Sequence, residues 1–146
     1  MPVTEVLARG FVFEVDTGVP ATPTWVAVGG INSWSHSPQA NDANTTTFDD
    51  EGRMSHMKAS RGDQFTISGL YQEDPADGSR DAGQEAVEAW ADEIGPASRK
   101  PFRITSPGGV VKTFSATAAV TSGGGGNDDP TAWSAAVTVD GAITTA

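Results

Sequence analysis

The sequence contains no cysteine, which excludes a disulfide framework, thiolate catalysis and cysteine-ligated zinc. It has only two histidines, His36 and His56, too few for a histidine-rich metal site. Cations are scarce as well: 9 Lys and Arg stand against 19 Asp and Glu, a formal net charge of −10. Nucleic-acid binding through a basic face rests on cationic neutralisation of phosphates, and this composition does not supply it. Docking on an anionic membrane is unsupported for the same reason. No apolar run approaches the ~18 residues of a membrane span. Residues 1–5 lack the basic start and apolar stretch of a secretory signal, so the expectation is use in a cytosol or export by a route the sequence does not display. No repeat of ~20–50 residues is visible.

What remains is rich in turn formers and small polar residues. Hydrophobic residues make up 37% of the 146 and charged ones 19%, and 17 glycines and 9 prolines punctuate the chain. This composition points to a mainly β chain of ordinary domain size. Over residues 8–16, Phe11, Phe13 and Val15 alternate with Val12, Glu14 and Asp16, the pattern of a half-buried strand. Residues 24–28 form a second strand, broken by Gly29 and Gly30. Residues 31–37 alternate only weakly around Ile31 and Trp34. Residues 39–62 are polar, with neither a helical nor a strand period, and are expected to form a surface loop or an arm that orders against a neighbouring subunit.

Strand periodicity returns at Gly62 and Asp63, with Phe65, Ile67, Gly69 and Tyr71 on one face. A turn over 73–79 leads to one helix. Asp81 can cap it, and Gln84 stands where a capping-box residue reaches back. Ala82, Ala86, Val87, Trp90 and Ile94 make an apolar stripe with Trp90 as anchor, while Glu85, Glu88, Asp92 and Glu93 take the wet faces. Gly95 and Pro96 stop the helix. Strands over 101–105, 110–121 and 133–139 follow, separated by turns at 106–109 and 122–130, and Asp140 with Gly141 ends the last of them. On several strands the face away from the core carries short hydroxyl side chains, which suits water or a broad wall better than a tight pocket.

No catalytic constellation emerges. Ser55 and Lys58 share the spacing of some acylating enzymes but lack the helix and partner motifs those need. The four glycines at 123–126 are followed by neither the lysine nor the helix of a phosphate loop. Asp42, Asn44, Asp49, Asp50 and Glu51 offer oxygens, but their spacing fits no standard calcium loop. Asn44 opens a formal glycosylation triplet, which reads as accidental without a secretion signal. No metal site, cofactor or enzymatic activity is expected.

The order of features is more telling than any single motif. Residues 25–34 lead through Ser35, His36, Ser37 and Pro38 into an acidic, Thr-rich segment over 42–52. The strand over 65–70, one helix, a hairpin and a strand containing Trp133 follow in turn. Over about residues 5–141 this order resembles the major tail tube proteins of long-tailed bacteriophages, whose architecture contractile secretion tubes share. The resemblance implies a mainly β fold, a β-sandwich or partial barrel flanked by one α-helix, assembling into hexameric rings that stack into a hollow channel for genome delivery. It implies a single tail-tube domain over 1–146 with an inter-ring loop at 39–62, and a plain tube exterior without an added surface domain. Its partners would be further copies of the chain, a tape measure protein, a tail terminator, and baseplate or tail-tip proteins. Viral DNA would pass through without specific binding, and no membrane is involved. The place would be the tail of a virion, after synthesis in a bacterial cytoplasm.

On this resemblance Asp42, Asn44, Phe48, Asp49, Asp50, Arg53, Met54 and Met57 are candidates for contact between rings. Thr113, Ser115, Thr117, Ser134 and Thr138 are candidates for the lumen wall, with Glu14, Asp16 and Asp140 as acids at its margins. An acidic surplus has the right sign to keep a phosphate backbone from adhering. The competing class is a secreted-type β-sandwich module that binds carbohydrate or calcium. Rings or tubes would mark the first class; stabilisation by a ligand would mark the second.

Overall fold

Among the described residues, alternation of core and solvent side chains organises seven strands, joined by one α-helix. The computed structural model describes residues 4–18 and 22–146. The strands are β1 (Val12–Asp16), β2 (Trp25–Ala27), β3 (Ile31–Asn44), β4 (His56–Leu70), β5 (Lys100–Thr105), β6 (Val111–Ser122) and β7 (Ala132–Thr145), and the helix α1 spans Ala82–Ala91 between β4 and β5. All seven belong to one antiparallel sheet in the order β2-β1-β5-β6-β7-β4-β3.

The sheet rolls up. Phe13 of β1, next to one end of the strand order, and Phe11 just before it meet Trp34 of β3 at the other end, with ring centroids 5.5 and 4.8 Å apart. The two ends therefore close on each other through side chains, and the result is the expected partial barrel. Its interior holds Phe13 and Val15 of β1, Phe65 and Ile67 of β4, Phe102 and Ile104 of β5, Phe114 and Ala116 of β6, and Trp133, Ala135 and Val137 of β7. Ring contacts run across this interior from His36 through Phe65, Phe114 and Phe102 to Trp90, with neighbouring centroids 4.5 to 5.9 Å apart.

The helix closes one end of the roll. Val87 and Trp90 are buried there, and the Trp90 indole Nε1 donates to the Ser98 carbonyl at 2.6 Å. Gly83 lies so close to Ala27 and Val28 that any β-carbon would collide with their backbone. Asp81 caps the helix as expected, its carboxylate accepting from the Gln84 N–H at 3.1 Å and from the Gly29 N–H at 3.0 Å.

Several expectations need correction. Gln84 does not reach back to Asp81. Its side chain is fully buried, donates to the Gly29 and Leu70 carbonyls at 3.0 and 2.8 Å, and accepts from the Gln72 N–H at 3.2 Å. Binding those three backbone groups occupies the amide and takes it away from a local cap. Ile94 is exposed because α1 ends at Ala91, and Ala82 is exposed too. Glu88 is not on a wet face: Arg80 holds both its oxygens, and the Trp133 Nε1 donates to it at 3.1 Å. Asp140 and Gly141 do not end the last strand. Gly141 adopts φ +87 and absorbs a bulge, after which Thr144 and Thr145 pair with Thr113 and Lys112. Residues 39–62 are mostly strand, forming the outer half of a long β3–β4 hairpin paired as far as Asn44 with His56.

Candidate assembly surfaces

Three surfaces stand out: a sheet face, a set of open strand edges and a projecting arm. The first follows from register. On the face away from the core, Ser35, Thr66, Ala136 and Ala119 form one cross-strand row, and Ser33, Ser68, Ser134 and Thr121 form the next. Ser37, Gln64, Thr138 and Thr117 make a third. Four neighbouring strands thus present a face of short, uncharged side chains. The charges lie at its margin. Glu14 pairs with Arg103 at 2.8 and 3.1 Å, and the Arg103 guanidinium sits 4.4 Å from the centre of the Trp25 ring. Asp140 lies 3.6 Å from Arg99.

The open edges flank this face. β3 is the terminal strand of the sheet, with Pro38 and many hydroxyl residues along it. Among the described residues, β6 pairs with β5 only as far as Ala116, so residues 117–122 have a partner on the β7 side alone.

The arm is the outer half of the β3–β4 hairpin. β4 pairs with β7 only from Gln64 to Leu70, so residues 56–63 leave the sheet together with the end of β3. Side-chain bonds between Gln39 and Gln64, Asn41 and Ser60, and Thr45 and Ser55 stitch the two strands at 2.8 to 3.2 Å. At the tip, Phe48 is fully exposed, and Met54 and Met57 are exposed beside it. Three large apolar side chains exposed on one arm make it a candidate interaction surface.

No protein-family model and no curated protein matches the sequence. Solved structures do match over nearly its full length. A chain in the tail of an empty gene transfer agent particle, refined with helical and C6 symmetry, superposes with a TM-score of 0.72 at 12% identity, covering 97% of this chain and 99% of the other. A chain of the native gene transfer agent virion gives 0.69 at 12% identity over the same shares. A chain of the six-fold symmetrised anti-feeding prophage baseplate gives 0.54 at 9% identity, covering 99% and 97%. The chain shares the fold of these tail-particle chains.

Within that tail-particle fold, the residues singled out from sequence fall into separate groups. Asp42, Asn44, Phe48, Asp49, Arg53, Met54 and Met57 are all exposed on the outer arm or its connecting loop. Asp50 lies in the same loop, with its side chain outside the described residues. Asn44 also shapes the tip, its side-chain Oδ1 accepting from the Thr46 N–H at 2.9 Å. Thr117, Ser134 and Thr138 lie on the uncharged sheet face, while Thr113 and Ser115 stand at its margin, opposite Arg103 and Asp140 respectively. Asp16 is placed differently: it is buried and accepts from the Gly18 and Thr24 N–H groups at 2.8 and 2.9 Å, holding the β1–β2 connection. Those two bonds explain an acid at a strand end without any role in a wall. Trp90 anchors the helix as expected.

Sequence reasoning missed the buried bridging role of Gln84 and the joining of Arg80, Glu88, Tyr71 and Trp133 into one cluster. The Arg80 guanidinium lies 4.2 Å from the Tyr71 ring centre while binding Glu88. That hydrogen bond holds the Glu88 carboxyl below its ordinary range, with bonds from Ser122 and Trp133 adding to the effect. The cluster ties the 71–80 turn, α1 and β7 together, and its members are too far apart in sequence for any local period to reveal it.

Proposed function

We propose that this chain is the structural subunit of a phage-type tail tube, in which rings of six copies stack around a channel for the viral genome. The observation that carries the reading is the full-length fold match to a chain from a tail with C6 symmetry. Two features of the chain support it. β3, β4, β7 and β6 alternate in direction, so a rotated copy can bring its β3 edge antiparallel to residues 117–122 of β6. Pairing of that kind closes a ring and removes both open edges. The same four strands carry the uncharged face, which the ring would turn toward the channel. Short hydroxyl and methyl groups there neither narrow a bore nor hold phosphate, and a net charge of −10 repels it.

In this reading the chain works without catalysis or cofactor, as a single tail-tube domain. The arm over 39–62 reaches the next ring. Tape measure, terminator and baseplate or tail-tip proteins meet the inside and ends of the tube, and the assembled protein resides in the virion tail. The carbohydrate- or calcium-binding alternative gives way to this reading, because the fold match over the whole chain is to tail particles. Electron microscopy of the purified protein at rising concentration tests it: rings or tubes with six-fold end views are expected, and a protein that stays monomeric at every concentration and salt would refute it.

A further inference from the structure

We infer that Phe48 at the arm tip seats in an apolar mouth at the end of the roll of a second copy of this chain. The inference rests on the tube reading and names the lock between stacked copies. Where the roll opens beside the arm, Phe11, Trp34, Phe65, Ile104 and Val110 surround a cavity of about 310 Å³ with Lys112 at its rim. A benzyl side chain fits that space, and the exposed ring of Phe48 is the largest apolar group the tip offers. Charge agrees: Asp49 and Glu51 follow Phe48 on an exposed loop, and Lys112 is exposed beside the mouth.

Reach decides which copy provides the mouth. His36 lines it, and Asn44 ends β3 eight residues further on, ~27 Å at the rise of a strand. Pairing of β3 with β4 to the tip, broken by one bulge between Asn41 and Asp42, keeps the arm from folding back that far. Each copy therefore carries a knob and a hole that it cannot join, which produces a head-to-tail contact that propagates rather than closes. The lengths also match. β4 has eight residues in the arm, 56–63, and seven in the body, 64–70, so an arm laid along a second copy brings its tip to that copy's mouth. One ring buried in one cavity falls well short of the ~1,200–2,000 Å² of a stable pair. The lock is thus weak singly and effective only when a ring presents it many times.

The absence of native cysteine makes the test clean. An Asp49→Cys, Val110→Cys double variant, which keeps the Phe48 ring, oxidised after assembly, should give a ladder of covalent oligomers on a non-reducing gel, while Asp49→Cys alone should not. A disulfide demands Cα atoms within ~7 Å, so the ladder reports seating directly. Phe48→Ala should melt as the wild type does but require about tenfold or more higher concentration to form tubes. Tubes of the double variant that yield no ladder would overturn the lock while leaving the tube reading intact. So would a cross-link within one chain, or Phe48→Ala tubes forming at the wild-type concentration. A wild-type chain that forms no tubes at all would overturn both.

Discussion

Glu88 shows how one side chain can join three elements. It lies on α1, receives the Arg80 guanidinium from the preceding turn, and accepts from the Trp133 indole on β7. Because Arg80 and its neighbours favour the carboxylate, the folded pKa lies below the unfolded one. The stability Glu88 contributes is therefore fully present above the ordinary glutamate range, about pH 4.3. It is lost as pH falls through the lowered folded value. Denaturant melts between about pH 5 and 2 should show this loss in the wild type, and Glu88→Gln should be less stable at neutral pH and flatter across that window. Equal slopes for the two proteins would assign the acid sensitivity elsewhere. Gln84 works by the same logic without charge, since its buried amide answers three backbone groups that would otherwise cost about 1–3 kcal/mol each.

Among the elements, α1 is set by close approach as much as by its apolar stripe. In an isolated helix, replacing glycine by alanine stabilises by about 1 kcal/mol. At Gly83 the sign should reverse, because a β-carbon would strike the backbone of Ala27 and Val28 and push the helix off the roll. Gly83→Ala should lower the melting temperature and loosen the burial of Trp90, read as a shift in tryptophan emission. A rise in melting temperature would show that the helix can move without cost. The β3–β4 hairpin illustrates the opposite regime. Its inner half packs Trp34, Phe65 and Ile67 against the roll, while its outer half is exposed on both faces and held by its own ladder and a few polar bonds. A two-stranded ribbon of that kind is only marginally stable alone, which suits an arm that gains its support from another copy.

For the whole molecule, the segregation of charge is the property with functional reach. The sheet face of β3, β4, β7 and β6 is uncharged in its middle, and Ala119 sits there exposed, with Ala136 and Thr66 beside it. Ala119→Lys should leave folding and tube formation intact yet slow genome release, because each ring would add six cations along the path of the phosphates. Raising the salt should restore release, since such contacts weaken steeply with ionic strength. Ala119 is a sharper probe than Ser115, whose cross-strand partner Asp140 would neutralise an introduced lysine. Normal release from particles shown to carry the lysine would place this face away from the channel.

Elements that have a core side are legible in the residue pattern alone. In β4, β6 and β7 the apolar residues recur every second position because one face is buried, and in α1 the capping Asp81 and the Val87–Trp90 pair mark a helix. The overall order of those elements sufficed to suggest the tail-tube architecture. The outer half of the β3–β4 hairpin was not legible, because a ribbon wet on both faces imposes no alternation. The bulge at Gly141 imitated a strand end for a related reason: a positive-φ glycine serves a turn and a bulge equally well. Long-range packing set how the sheet rolls until Phe11 and Phe13 reach Trp34, where the mouth beside Phe65 opens, that Gln84 is buried, and that Glu88 binds Arg80 and Trp133. Those outcomes depend on contacts between residues distant in the chain, and no local pattern encodes which distant partner a side chain will meet.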